Sequence, residues 1–203
     1  MEIKRAIEFG DNIRERISEL YIDGFYDIAL RHFSKDKEIL KQAFSPMFPL
    51  EYFYIAIINN EIAGMVACLG KGNICLNIDR KIFVKYFGRF RGFMAYYTNR
   101  QYLKNLPVHK MDNETAVVEY VVTDTKYKGK GVASALINHI FELPEYKHFL
   151  IELADTNPSA LELYKKLGFI ETYRKKYMPG SGINYWIYLK YSKQGGLWLW
   201  IKI

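Results

Sequence analysis

The sequence predicts a single α+β domain in which strands and helices pack around one core. Residues 116–123 form an apolar run rich in Val and Tyr, as in a strand buried on both faces, and a helical pattern begins at Val132. Residues 149–154 begin a second strand-to-helix unit. Two earlier apolar runs are separated by Asn59-Asn60-Glu61, which is typical of an antiparallel hairpin because Asn tolerates a positive φ.

Composition sets limits on the class of protein. The chain has 203 residues, 50% hydrophobic and 25% charged, which suits one globular domain over 1–203. A net charge of +7 favours an anionic partner, either a polyanionic cofactor or nucleic acid. Cys68 and Cys75 cannot form a disulfide framework and are expected to be reduced. Neither a secretory leader nor a spanning segment of ~20 apolar residues is visible, so we expect a cytoplasmic protein. The histidines show no metal-binding spacing, and we expect no metal.

The first third of the chain predicts a strand, three helical pieces and the hairpin. A strand at 2–7 precedes a helix that Asp11 caps and that Gly24 interrupts. A second piece spans 25–33, and Ser34 caps the third, which ends before the prolines at 46 and 49. The hairpin strands are expected at 52–58 and 62–69.

The central strand leads into a loop with features of an anion site. At Lys128-Gly129-Lys130-Gly131 the chain turns into the helix that begins at Val132. The first turn of a helix has N–H groups without intrahelical partners, and glycines let a phosphate approach them. Lys126 would add attraction together with the two lysines of the loop. Neither a Walker loop nor a dinucleotide fingerprint is present, so a turn with solvated lysines is the alternative.

The second strand-to-helix unit has clear helix signals. Asn157 is the predicted N-cap, Pro158 occupies the first helical position, and Gly168 follows the last turn. Strands at 170–177 and 183–189 then flank turn-forming residues at 178–182.

Two spaced motifs in this region resemble those of the GNAT superfamily of acyl-CoA N-acyltransferases. Lys128-x-x-Gly131-x-Ala133 resembles its pyrophosphate loop, with Lys in place of the usual Arg or Gln. The pattern Asn157-x-x-Ala160-x-x-Leu163-Tyr164-x-x-x-Gly168-Phe169 matches its downstream motif at every marked position. The resemblance implies a central mixed, mostly antiparallel sheet flanked by helices. It also implies transfer of an acetyl group from acetyl-CoA to a primary amine by direct attack.

The same resemblance implies a set of site residues. The pantetheine arm would pair with the central strand, and the loop and the next two helix starts would hold the rest of coenzyme A. These cofactor-binding residues are Val121, Val122, Thr123, Lys128, Gly129, Lys130, Gly131, Val132, Ala133, Ser134, Asn157 and Ala160. Tyr164 would protonate the departing thiolate, or it is a core aromatic residue. Glu119 alternates in register with Val121 and Thr123, so it could point into the acceptor cleft and act as the base. Alternatively, it pairs with a Lys or Arg of the segment described next.

A basic aromatic helical insert is expected before the central strand, at about 77–113. Its helices could pack their aromatic rings on the sheet, line the acceptor site, or bind nucleic acid or a membrane surface. An apolar tail at 194–203 could dock on its own domain or on a second subunit of a homodimer. We expect no membrane partner, and nucleic acid is not favoured.

Two other functions stay open. One is a non-catalytic acyl-CoA-binding sensor of the same fold, and the other is a nucleic-acid-binding module centred on the insert. The amine acceptor could be a small molecule or a protein amine, and the acyl group could be longer than acetyl.

Overall fold

The computed structural model describes residues 1–27, 33–105, 108, 111–177 and 182–193. Four predicted features therefore lie wholly or partly outside the described residues. They are the apolar tail at 194–203, most of the turn at 178–182, the helical piece at 25–33 and the C-terminal part of the insert at about 77–113.

The described residues form a seven-stranded mixed sheet. The strands are β1 (Glu2–Arg5), β2 (Phe53–Ile58), β3 (Glu61–Leu69), β4 (Thr115–Thr123), β5 (His148–Ala154), β6 (Ile170–Lys176) and β7 (Tyr185–Ser192). Their order across the sheet is β1-β2-β3-β4-β5-β7-β6. Only the β4–β5 pair of this sheet is parallel. The predicted α+β fold with a mostly antiparallel sheet is confirmed.

Helices cover both faces of the sheet. They are α1 (Arg14–Phe25), α2 (Lys37–Phe44), α3 (Arg80–Phe87), α4 (Arg89–Asn105), α5 (Val132–Phe141) and α6 (Pro158–Lys166). Side chains of α1 to α4 form one apolar cluster with one face of β2, β3 and β4. Side chains of α5 and α6 form a second cluster on the other face. No helix among the described residues is long and apolar enough to cross a membrane.

The N-terminal helices differ from prediction in their ends. The first strand stops at Arg5, and Asp11 lies in a 3-10 segment, Ala6–Ile13, that precedes α1. Asp36, and not Ser34, caps α2, because its carboxylate accepts hydrogen bonds from the N–H groups of Glu38 and Ile39 at 2.8 and 3.4 Å.

Gly24 does not interrupt α1, as was predicted, but lies inside it where the helix meets β4. A Cβ at Gly24 would lie 2.8 Å from Val122 Cγ2, which is closer than packed carbon atoms approach. The glycine is therefore present for close packing of α1 on β4.

The hairpin prediction is confirmed, with Asn59 and Asn60 at φ 51° and 61° between β2 and β3. Both residues adopt the left-handed conformation that Asn tolerates better than most residues.

Strand β4 separates from β5 soon after the two strands pair. The parallel ladder covers only three pairs, which end at Val117 and Leu150. Further along β4, the register with β3 shifts between Glu119 and Val122, and Tyr120 has φ 51°. This is a β-bulge, and a bulge bends its strand and increases the local twist.

The bulge changes the face to which each residue of β4 points. Tyr120 packs in the cluster of α1 to α4, whereas Val121 packs in the cluster of α5 and α6. The prediction that Glu119 and Val121 share a strand face is therefore wrong. One extra residue in the strand reverses the alternation beyond Glu119.

Candidate active site

A cleft of about 680 Å³ opens where β4 ends and α5 begins. Its walls come from α1, the end of β4, the glycine loop, and the starts of α5 and α6. The predicted cofactor-binding residues all line it except Lys130: Val121, Val122, Thr123, Lys128, Gly129, Gly131, Val132, Ala133, Ser134, Asn157 and Ala160. Tyr164 lines the same cleft. The structure thus brings together residues that are separated by up to 43 positions in the sequence, from Val121 to Tyr164.

The glycine loop exposes the first turn of α5. Gly131 is its N-cap with φ 76°, and no atom lies within 4 Å of the position that a Cβ would occupy. Ala135 donates to the Gly131 carbonyl at 2.9 Å, so the N–H groups of Val132, Ala133 and Ser134 precede the first intrahelical bond. Three donors at the positive end of the helix dipole can therefore receive a phosphate.

The three lysines before α5 differ in their surroundings. Lys128 lines the cleft. Lys130 Nζ lies 4.9 Å from the centroid of the Tyr127 ring, outside the cleft. Lys126 pairs with Glu61 of β3, which also accepts a hydrogen bond from the Tyr127 hydroxyl at 2.6 Å. The Glu61 carboxylate therefore partly neutralises the charge of Lys126. The electrostatic attraction of Lys126 for an anionic cofactor is weaker than the sequence analysis predicted.

Helix α6 presents Tyr164 toward the sheet. Asn157 Oδ1 accepts from the Ala160 N–H at 3.2 Å, as expected of an N-cap, and Gly168 ends the unit with φ 92°. The Tyr164 ring packs 5.8 Å from that of Phe169, and the residue is 6% exposed. No fully buried side-chain polar atom in the described part of the chain lacks a hydrogen-bond partner.

Glu119 is a buried carboxyl group on β4. It is 8% exposed, and its Oε2 accepts a hydrogen bond from the Tyr102 hydroxyl of α4 at 3.0 Å. The pKa of Glu119 is raised to about 8, mainly by burial and also by the nearby charge of Glu152, while the Tyr102 hydrogen bond opposes the increase. A carboxyl group with such a pKa changes its protonation near neutral pH.

Glu152 on β5 is a second carboxyl group at this place, which the sequence analysis missed. The last paired residues, Val117 and Leu150, share a cluster, and Glu119 and Glu152 each lie two positions further along. They therefore project from the same face of neighbouring strands. Burial also raises the pKa of Glu152, whereas a side-chain hydrogen bond with its cross-strand neighbour Tyr188 opposes this increase. The sequence feature that could have identified Glu152 is the one that identified Glu119, a single carboxylate within an apolar strand.

Tyr164 and Glu119 approach the divergence of the strands from opposite faces of the sheet. Tyr164 belongs to the cluster of α5 and α6, whereas Glu119 contacts α4 on the other side. The two groups still interact, since the charge of Glu119 adds to burial in raising the pKa of the Tyr164 phenol. The carboxyl group of Glu119 therefore lies within electrostatic reach of the Tyr164 phenol.

The predicted insert reaches this site through a tyrosine. Among the described residues of the segment, Glu119 pairs with the Tyr102 hydroxyl, whereas the sequence analysis considered a lysine or arginine. Arg89 and Arg91 lie at the other end of α4, roughly 16–20 Å from Tyr102 at the rise of an α-helix.

Comparison with known proteins identifies the family. The model of the acetyltransferase (GNAT) family matches residues 14–169, which is more than half of the chain. The protein therefore belongs to the acetyltransferase (GNAT) family. A comparison with curated proteins gave no match.

Solved structures share the fold at low sequence identity. An N-acetyltransferase from Staphylococcus aureus Mu50 superposes with a TM-score of 0.62 at 19% identity, over 94% of this chain and 100% of that one. A ribosomal-protein-alanine N-acetyltransferase from Brucella melitensis gives 0.58 at 11%, over 95% and 99%. A chain of the NatC complex bound to Gag peptide and CoA gives 0.56 at 16%, over 95% and 99%. At these identities the likeness shows a common fold.

The burial of Glu119 predicts a pH-dependent stability. Because the folded-state pKa of about 8 exceeds the ordinary 4.5, the folded protein binds more protons than the unfolded chain between these values. Glu119 therefore contributes to the free energy of unfolding at acid pH, and this contribution decreases as the pH rises toward 8. In urea unfolding from pH 5 to pH 9, wild type should lose stability relative to Glu119→Gln by up to about 1.4 kcal/mol per pH unit.

The matched control is Glu162→Gln, which removes an exposed carboxylate of α6. Its pH dependence should follow that of wild type. If Glu119→Gln also follows wild type, the carboxyl group is not buried in the folded protein as described.

Proposed function

We propose that the protein transfers an acetyl group from acetyl-CoA to a primary amine. The observation that carries this proposal is the meeting of three features at one cleft: the open N-terminus of α5, the β4 edge beyond the end of its pairing with β5, and Tyr164 of α6. Glu119 lies outside the lining of this cleft, on the opposite face of β4, within electrostatic reach of Tyr164. Membership of the acetyltransferase (GNAT) family supports an acyl transfer, and the site suggests how this chain would carry it out.

The cofactor end of the cleft fits a pyrophosphate. The N–H groups of Val132, Ala133 and Ser134 would donate to its oxygens, and Lys128 would contribute a positive charge. The space beside Gly131 permits this close approach. Asn157 and Ala160 form the facing wall at the start of α6.

The thioester end of the cleft fits an extended arm. Beyond Val117 the backbone of β4 no longer pairs with β5, so the strand edge at Val121, Val122 and Thr123 can accept the pantetheine amides as an added strand. An N–H group of this stretch would then polarise the thioester carbonyl.

The chemistry requires one proton donor and one proton acceptor. The amine nitrogen attacks the thioester carbonyl carbon, a C–N bond forms, and the C–S bond breaks. Tyr164 gives its phenolic proton to the departing thiolate. Glu119, in its ionised form, accepts the proton that the attacking nitrogen loses, directly or through water. A pKa of about 8 suits this role, because such a carboxylate is a stronger base than an exposed one and is still populated near neutral pH.

The acceptor side of the site is acidic and aromatic. Glu119 and Glu152 share it with Tyr102 and Tyr188, and the open face of β6 and β7 continues it through Tyr173, whose ring stacks on that of Tyr188 at 4.9 Å. This chemistry favours a cationic amine.

The direct experiment is thiol release from acetyl-CoA in the presence of a panel of small and peptide amines. Coenzyme A binding without thiol release for any amine would instead indicate a non-catalytic sensor.

Cofactor binding should depend on Gly131. A Val side chain there would fill the space that a phosphate needs, so Gly131→Val should weaken coenzyme A binding at least about tenfold, or about 1.4 kcal/mol. Isothermal titration calorimetry measures this change.

Gly182 provides a matched control, because it has φ 80° and no atom within 4 Å of its Cβ position either. Gly182→Val therefore introduces a similar backbone strain, of order 1–3 kcal/mol, away from the cleft. Equal affinities for coenzyme A in the two folded variants would contradict the assignment of the loop.

Turnover should depend on the Tyr164 hydroxyl. Tyr164→Phe keeps the ring and its packing but removes the proton, so kcat should fall by roughly 10²–10⁴, the range for a positioned general acid. The affinity for acetyl-CoA should stay nearly the same. Steady-state thiol release gives kcat, and calorimetry gives the affinity.

The control is Tyr54→Phe, which makes the same change at another buried tyrosine of the same apolar cluster, outside the cleft. A near-wild-type kcat for Tyr164→Phe in a protein of normal melting temperature would show that the residue is only part of the core.

A further inference from the structure

Helices α3 and α4 form a strongly basic pair. Residues 80–105 contain seven cationic residues and no acidic one. They are Arg80, Lys81, Lys85, Arg89, Arg91, Arg100 and Lys104, and all of them are exposed. Such a concentration of one charge on one element favours an anionic partner.

Only one side of α4 packs on the rest of the protein. Ala95 and Leu103 are buried in the core, and Gly92 lies against α3, where a Cβ would be 2.4 Å from the Phe83 carbonyl oxygen. In α3, the rings of Phe83 and Phe87 are buried in the same apolar cluster.

The opposite side of α4 presents apolar side chains to solvent. Phe90 is 80% exposed, Phe93 47%, Met94 46% and Tyr97 49%. Their spacing of three and four residues places them on one helix face. We call these four residues the α4 outer stripe. A contiguous set of exposed large apolar residues marks an interaction surface more often than a solvated one.

Cationic side chains border the α4 outer stripe on both sides. At 100° per residue, Arg89 and Arg100 fall beside Phe93 at one edge, and Arg91 falls beyond Met94 at the other. Long side chains at such positions can extend along an apolar surface and place their charges at its boundary.

This arrangement matches the chemistry of an anionic lipid surface. A helix that lies in a bilayer interface has an apolar face with Phe or Leu, bordered by Lys and Arg that contact lipid phosphates. The expectation of no membrane partner was based on the lack of a spanning segment, and a surface-bound helix needs none.

Two other partners fit less well. A second copy in a twofold contact would place the cations of one α4 against those of the other, whereas the core of a protein interface is depleted of charge. Single-stranded nucleic acid binds in basic grooves with stacking platforms, but the α4 outer stripe is a convex helix face and includes the non-aromatic Met94.

We propose that α4 docks the protein on bilayer surfaces that contain anionic lipids. Phe90, Phe93, Met94 and Tyr97 enter the boundary between headgroups and acyl chains, and Arg89, Arg91 and Arg100 contact the lipid phosphates.

The test is sedimentation of the full chain with vesicles. Binding to phosphatidylglycerol–phosphatidylcholine vesicles should exceed binding to phosphatidylcholine alone by about tenfold or more, and it should weaken when salt rises from about 50 mM to about 500 mM. The variant Phe90→Ser/Phe93→Ser should lower binding to the anionic vesicles by about tenfold. Because both side chains are exposed, its melting temperature and thiol-release activity should stay those of wild type.

The control is Ile7→Ser/Phe9→Ser, which removes two other exposed apolar side chains, 47% and 37% exposed, from the 3-10 segment before α1. It should bind vesicles as wild type does. Equal vesicle binding by the Phe90→Ser/Phe93→Ser variant and wild type would overturn the proposal. So would a dimer in sedimentation equilibrium that this variant dissociates, or a tighter, Phe90-dependent binding to a single-stranded oligonucleotide.

Discussion

The early separation of β4 from β5 is the constraint on which the proposed site depends. Their parallel ladder ends at Val117 and Leu150, so the rest of the β4 edge is left for another partner. The bulge at Tyr120, which bends the strand, requires a positive φ that costs a bulky residue of order 1–3 kcal/mol. Packing offsets this cost, because the Tyr120 ring lies 5.0 Å from Tyr21 and 5.4 Å from Phe25 in the core.

In the proposed mechanism, the same separation would let groups from two layers of the protein serve one reaction. Tyr164 comes from the α6 layer and Glu119 is contacted from the α4 layer, and a continuous ladder would keep the sheet between them. In a direct transfer, no covalent bond to the protein forms. Much of the rate enhancement must then come from holding the reactants and the catalytic groups in the right geometry on rigid elements. Helix α4 has two roles in this account: its Tyr102 holds Glu119, and its outer stripe faces away from the core.

Local chemistry could be predicted from the sequence, and long-range geometry could not. The turn at Asn59 and Asn60 and the cap at Asn157 depend on backbone preferences of the residues themselves, so they were predicted correctly. The bulge at Tyr120 was missed because Tyr favours a regular strand, and only tertiary packing imposes the positive φ. Gly24 was read as a helix breaker for a similar reason, since its close contact with Val122 involves a strand about 100 residues away. Glu152 was missed because only the register between β4 and β5 places it beside Glu119, and that register cannot be read from the sequence.

Amide hydrogen exchange with and without coenzyme A can show whether the β4 edge and the α5 N-terminus together form the cofactor site. We predict slower exchange at Thr123 and the three N–H groups at 132–134 when coenzyme A is saturating, because these donors gain ligand acceptors. The hairpin of β2 and β3 near Asn59 should exchange at the same rate in both states. Protection that appears elsewhere while these amides stay unchanged would contradict the account.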